Sequence, residues 1–259
     1  MTEISSEEYI PFAEQLATIS GEVIRRYYRK KIPFDVKKDS TPVTIADKEV
    51  EKSVRAMIRN TYPEHGIIGE EYENVNEDAD FKWLIDPIDG TKSFMIGRPI
   101  FGTLLSLIYK DTPIVGVIDQ PILGERWTGA RGYATNFNYE PIETRFCGEI
   151  EKAVLCTTSP NLFKKKDFKK FELVREKAQY TVYGGDCYSY GLLSRGSVDI
   201  VIETGLKPYD LCALRPVIEG SKGVITDWDG KEITTNSNGH VVACGDSELH
   251  RQVLELLNS

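Results

Sequence analysis

Apolar side chains recur at Phe12, Leu16, Ile19, Val23 and Tyr27 within residues 5–29, a spacing that predicts an amphipathic helix. Two prolines end it in KKIPFDVKKDSTP (30–42), which reads as a charged, irregular loop. Helical spacing returns near Ala46, with Val50, Val54, Met57 and Ile58 on one face, and stops at YPEHG. The pattern then shortens to strands. IIGEEY runs into two acids, WLID into another, and GTLLSLIY, TPIVGVIDQ, ERWTGA and GYATNF predict an antiparallel meander between turns. Beyond it the chain alternates: KAVLCTT as strand, 163–177 as a Lys-rich helix, YTVYGG as strand and turn, 187–195 as helix, VDIVIE as strand. DLCALRPVIEGSKG predicts a helix with a glycine stop, and Asp246 caps a last helix whose inner face is Leu249, Val253, Leu256 and Leu257.

Helices followed by sheet in the first half, and alternation in the second, predict layered helices and sheets, an α/β (α+β layered) fold. We expect two halves, 1–145 and 146–259, forming one compact unit and meeting along a cleft that the 30–42 loop could cover. Neither repeats nor low-complexity segments interrupt this plan.

Composition narrows the function. The chain has 259 residues, 41% hydrophobic and 28% charged, as an ordinary globular protein does. A net charge of −8 disfavours nucleic acid or an anionic membrane as partner. No apolar run approaches the ~20 residues that span a bilayer. The start, MTEISSEEYI, is too acidic and polar for a secretory signal. Five scattered cysteines (147, 156, 187, 212, 244) without a CxxC pair suggest free thiols in a reducing cytoplasm. His65, His240 and His250 form no pair at ligand spacing, which disfavours a His/Cys zinc site.

The candidate chemistry lies in acids that follow apolar runs. In WLIDPIDGTKSF (83–94) a buried-looking strand ends in Asp86-Pro87-Ile88-Asp89, a costly arrangement unless something pairs with the carboxylates. Glu70 and Glu71 end another strand, and Asp210 heads a helix after VIETGLKPY. Singly, each has an ordinary explanation: a surface turn, a solvated strand end, a helix cap. Together they suit a hard cation such as Mg²⁺, which takes oxygen ligands and leaves room for water and phosphate. Pro87 forbids a regular helix between the two aspartates, so both can turn to one side with the Ile88 carbonyl between them. A helix starting at Thr91 would aim the amides of Gly90, Thr91 and Lys92 at the same spot as an anion site.

These segments, GEE (69–71), WLIDPIDGTKSF and KPYD (207–210), together with STPVTIADKEVE (40–51), resemble in order and spacing the motifs of the inositol monophosphatase family of Mg²⁺-dependent phosphatases. The resemblance implies a five-layer α-β-α-β-α sandwich, two to three Mg²⁺ ions and a homodimer. By position, Glu70, Asp86 and the Ile88 carbonyl would hold one ion, and Asp86, Asp89 and Asp210 a second. A third would lean on Glu70 through waters. Thr91 and Asp47 would orient the attacking water with Glu71 behind them, and the amides of Gly90 and Thr91 would hold a phosphate oxygen. Without the match, Asp47 and Glu71 read as exposed acids. The implied reaction is in-line attack on a phosphate monoester by a metal-activated water, with no covalent enzyme intermediate and with sensitivity to Li⁺.

Among the family's substrates, GGDCYSY (184–190) and LKPYD (206–210) are most similar to the histidinol-phosphatase branch, an activity of histidine biosynthesis. Histidinol carries an ammonium and an imidazole. Asp186 and Glu203, with Gly185 beside them, would suit the ammonium if both faced the pocket, and Tyr188 or Tyr190 could pack on the imidazole. Asp186 also reads as a plain turn residue and the tyrosines as core. Lys37 and Lys38 could approach the phosphate or form a solvated charge cluster. The alternatives are an inositol or broad-range sugar monophosphatase, and a non-catalytic protein of the same fold that binds metal or a partner.

Overall fold

The computed structural model describes residues 5–36 and 42–259; Lys37 and Lys38 lie outside them. A single 3-10 turn, Ser6–Tyr9, leads into α1 (Ile10–Tyr27), which buries Phe12, Leu16, Val23 and Ile24. Part of the expected irregular 30–42 segment is ordered instead: β1 (Phe34–Val36) pairs antiparallel with β2 (Pro42–Thr44). Three-residue strands carry too little periodicity to read from sequence. Thr44 then caps α2 (Ile45–Thr61).

The next segments are β3 (Gly66–Gly69), β4 (Phe81–Asp89), the short helix α3 (Thr91–Met95), β5 (Gly102–Tyr109), β6 (Thr112–Gln120), β7 (Glu125–Ala130), β8 (Asn136–Phe137) and β9 (Glu140–Pro141). These strands form one seven-stranded sheet in sequence order. β3 runs parallel to β4, and each later pair is antiparallel, β4 and β5 through α3 and the rest through short turns. The run GYATNF contributes only Asn136 and Phe137, because Gly132 at φ +85 and the Tyr133 N–H bond to Ala130 turn the chain first.

The remaining chain gives β10 (Val154–Thr157), α4 (Lys165–Lys177), β11 (Tyr180–Tyr183), α5 (Cys187–Ser194), β12 (Ile200–Glu203), α6 (Pro208–Gly220), β13 (Val224–Thr226), β14 (Val241–Cys244) and α7 (Ser247–Leu257). Its five strands order as β11-β10-β12-β14-β13. β13 and β14, absent from the sequence reading, are short strands separated by a polar stretch rich in turn residues.

Alternation along the strands distributes side chains into three apolar layers. Trp83, Ile85, Leu105, Leu107, Val115 and Val117 pack against α1 and α2 on one face of the seven-stranded sheet. On its other face, Leu104 and Ile118 meet Leu193 of α5 and Leu211, Leu214 and Val217 of α6, which also touch Val201 and Ala243 of the second sheet. That sheet's far face, with Leu155, Ile200 and Val242, covers Phe171 of α4 and Leu249 and Val253 of α7. The order is therefore α1/α2, sheet, α5/α6, sheet, α4/α7: a five-layer α-β-α-β-α sandwich.

The central helix α6 lies very close to the first sheet. A Cβ at Gly116 would come 2.1 Å from the Ala213 carbonyl oxygen, and one at Gly129 would come 2.3 Å from that of Pro216. All five cysteines are unpaired. Among the described residues, no helix is long and apolar enough to cross a membrane.

Candidate active site

The end of β4 is bulged. Asp86 pairs with Leu104 and Asp89 with Gly102, so β4 carries one extra residue. Pro87, which has no N–H to offer a neighbouring strand, occupies the irregularity, and the Thr103 hydroxyl donates to its carbonyl at 2.8 Å. The Ile88 N–H donates to Asp86 Oδ1 at 3.0 Å, and Gly90 at φ +88 turns the chain into α3. A side chain at Gly90 would strike Asp186, because its Cβ would lie 2.7 Å from Asp186 Oδ2.

Four helices begin at this spot. Asp47, fully buried in the first turn of α2, accepts the Thr44 N–H at 2.8 Å and the Thr44 hydroxyl at 2.5 Å. Its other oxygen lies 3.4 Å from Thr91 Oγ1, which also reaches the Ile88 carbonyl at 3.1 Å. At the start of α5, the Cys187 N–H donates to Asp89 Oδ2 at 2.5 Å. At the start of α6, Asp210 Oδ2 accepts the Lys207 N–H at 2.7 Å, while its carboxyl shares a hydrogen bond with Asp86. The positive ends of these helices partly offset the converging acids.

Burial and mutual proximity set the electrostatics of these acids. Burial pushes Asp86 well above the usual carboxylate range, reinforced by Glu70, Asp89 and Asp210. Burial does the same to Asp89, reinforced by Asp186, Asp210 and Glu203. Asp210 is pushed up to about 7, chiefly by burial and then by Glu70, against the Lys207 N–H. Asp47 is also raised by burial, with Glu70 adding to it. Glu71 lies within electrostatic reach of the Tyr209 hydroxyl, as do Glu70, Asp86 and Asp210.

The hydrogen bond between the Asp86 and Asp210 carboxyls brings two buried acids into direct contact: burial raises both, and the bond raises Asp86 further while drawing Asp210 down. The set is all oxygen, acidic and turned to one place, which fits a hard divalent ion. Among the described residues no three of these side chains form a ready-made cation cage.

Asp186 sits beside this cluster in a backbone conformation rare for a residue with a side chain, φ +44 and ψ −137, after Gly184 and Gly185 at φ +92 and +126. Its N–H donates to Thr158 Oγ1 at 3.1 Å and its Oδ2 accepts from Ser93 Oγ at 3.3 Å. Burial pushes it up to about 6, opposed by Ser93, Lys92 and Arg98.

Glu203, expected to suit the ammonium if it faced the pocket, is as buried as Asp86 and lies within electrostatic reach of Asp89 and Asp186. It accepts the Thr158 N–H at 3.0 Å and the Tyr190 hydroxyl at 3.0 Å. Neither tyrosine is presented for stacking on an imidazole. Tyr190 is buried, and Tyr188 packs edge-on against Trp127 while donating to Glu125 at 2.6 Å. Both serve the core, because each ring and hydroxyl is already used. A separate cleft of about 440 Å³, lined by Arg25, Asp119 and Arg126 among others, contains none of these acids.

The sequence reading missed residues that hold the site from behind: Thr44, Ser93, Thr103, Thr158, and the buried pair Glu51–Arg55. Only the last left a signal, as charges on the apolar face of α2 beside Val50 and Val54.

Comparison with known proteins places this geometry in context. A model of the inositol monophosphatase family matches residues 5–259. The chain is 50% identical to the bifunctional phosphatase IMPL2, chloroplastic, of Arabidopsis thaliana, over 99% of this chain and 78% of that protein. It is 31% identical to a histidinol-phosphatase of Mycobacterium tuberculosis, over 98% and 99%. Its fold superposes with a TM-score of 0.90 on an inositol monophosphatase from Zymomonas mobilis, 42% identical, covering 99% of this chain and 100% of that one.

Proposed function

The chain belongs to the inositol monophosphatase family, and from that premise we propose that this phosphatase is a Mg²⁺-dependent monoesterase whose preferred substrate is histidinol phosphate. Family members generally depend on Mg²⁺. Glu70, Asp86, the Ile88 carbonyl, Asp89 and Asp210 would hold two to three ions. When bound, these ions polarise the phosphoryl group and acidify water. The chain's own groups supply the rest. Asp47 accepts a proton relayed through the Thr91 hydroxyl, which orients the nucleophile, with Glu71 close behind. The amides at Gly90 and Thr91, opening α3, hold a phosphate oxygen.

The observation carrying the substrate assignment is Asp186: a carboxylate beyond the metal-directed set, held against Gly90 next to the phosphate end of the site. A substrate ammonium would pair with it, and Glu203 would add its charge from behind through Thr158. Gly185 lets the chain turn close to the ligand. The histidinol-phosphatase relatives support this reading. The Zymomonas neighbour favours a second one, an inositol phosphate.

A phosphate-release assay separates them. We expect kcat/KM for histidinol phosphate to exceed that for inositol 1-phosphate by well over ~10-fold, since a site built around a charged group rejects analogues lacking it. Equal rates would favour the second reading. Release that persists in EDTA would overturn the metal-dependent one.

The chain is expected to act as a homodimer in the cytoplasm and to be inhibited by Li⁺. Strand β11, at a sheet edge with Tyr180, Val182 and Tyr183 exposed, supports self-association, which light scattering would test.

A further inference from the structure

Helix α2 carries three charges at four-residue spacing, Asp47, Glu51 and Arg55, on a stripe turned inward: Asp47 and Glu51 are fully buried and Arg55 is 5% exposed. Asp47 addresses Thr91. The other two address backbone. Glu51 Oε2 accepts the Glu71 N–H at 2.7 Å, and Oε1 accepts the Tyr72 N–H at 3.2 Å and Arg55 Nε at 2.7 Å. Arg55 in turn donates to the Glu73 carbonyl at 3.0 Å and the Tyr72 carbonyl at 3.1 Å. The neighbouring strand makes room for this: a Cβ at Gly69 would come within 2.0 Å of Glu51 Oε1.

A buried ion pair is a poor source of stability, because the desolvation of its two charges offsets their attraction. Here the pair spends its remaining capacity on four backbone groups of one turn. That turn carries Glu70 and Glu71, while the same helix carries Asp47. We propose that Glu51 and Arg55 are positioning residues that tie Glu70 and Glu71 to Asp47 in one rigid frame and so set the Mg²⁺ affinity of the site. This inference rests on the assignment of Glu70 as a metal ligand and is independent of which ester is hydrolysed.

Partners that orient metal ligands typically alter metal affinity by ~10–100-fold when changed. The test is calorimetric titration of Mg²⁺ into the metal-free full chain for Glu51→Gln and Arg55→Lys. Arg55→Lys keeps the charge beside Glu51 but not the planar fork that reaches both carbonyls at once. Val253→Ala, in the layer farthest from α2, controls for lost stability alone.

We expect Mg²⁺ affinity to fall ~10-fold or more in both α2 variants, with kcat recovering at saturating Mg²⁺. Val253→Ala should lower Tm and leave the affinity unchanged. Unchanged affinity in both α2 variants, or an equal loss in Val253→Ala, would overturn the proposal. An unaltered protein that binds Mg²⁺ but releases no phosphate would remove the functional reading and leave this one standing. One that binds no Mg²⁺ would remove both.

Discussion

Replacing Glu203 with glutamine should make the metal-free protein more stable at alkaline pH. Burial, aided by Asp186, pushes Glu203 from 4.5 up to about 7, although the Thr158 N–H and the Tyr190 hydroxyl hold it down. Between those two pH values the folded state holds a proton that the unfolded chain has released. Stability therefore falls as pH rises through this window, and the full cost is present above about 7. At ~1.36 kcal/mol per pH unit, the displacement from 4.5 to about 7 costs at most about 3 kcal/mol at pH 8 and less than about 1 kcal/mol at pH 5. Glutamine removes the charge: its oxygen accepts the Thr158 N–H and its amide donates to the Tyr190 oxygen, while the Tyr190 O–H loses its acceptor, so the net gain is smaller than this ceiling. For a chain of this size the ceiling corresponds to roughly 6–12 °C in Tm at pH 8 in EDTA, nearly vanishing at pH 5. Thermal melts of both proteins at the two pH values measure it. A Glu203→Gln protein that melts at or below the wild-type temperature at pH 8 would refute the reasoning.

Three further outcomes are expected. Asp186→Ala should cut kcat/KM for histidinol phosphate far more than for inositol 1-phosphate; equal losses in a steady-state comparison would remove Asp186 from the substrate pocket. Gly116→Ala should lower stability by ~1–3 kcal/mol, since its methyl meets the α6 backbone at 2.1 Å, and denaturant unfolding checks it. Mg²⁺ should raise Tm more at pH 8 than at pH 5.5, because Asp186 and Asp210, at about 6 and about 7, shed their protons between these values and leave repelling carboxylates for the ion to neutralise. Melts with and without Mg²⁺ measure this, and an unchanged or reversed pH trend would contradict it.

The long elements were legible because their periodicity is long. The stripe from Phe12 to Tyr27 and the alternation in TPIVGVIDQ each repeat enough times to identify the element. β1, β2, β13 and β14 span three or four residues and exist only because a neighbour pairs with them. In the site, Asp86, Asp89 and Asp210 could be singled out because each acid interrupts or follows an apolar run. Asp47 and Glu71 could not, since a helix's first turn and a strand's end are ordinary places for acids; only the family resemblance raised them. Glu203 shows the limit from the other side. Its place at a strand end was readable, but not that the Thr158 N–H and the Tyr190 hydroxyl, from two other segments, would both bond to it.

The close seating of α6 on the first sheet bears on how an ester could enter. This helix brings Asp210 from the C-terminal part of the sequence, yet two glycines let its backbone touch β6 and β7 directly. Spreading the two sheets apart would have to tear that contact before it could separate Asp210 from Asp86. An ester therefore meets Asp210 and the first sheet as one body, joined at Gly116 and Gly129.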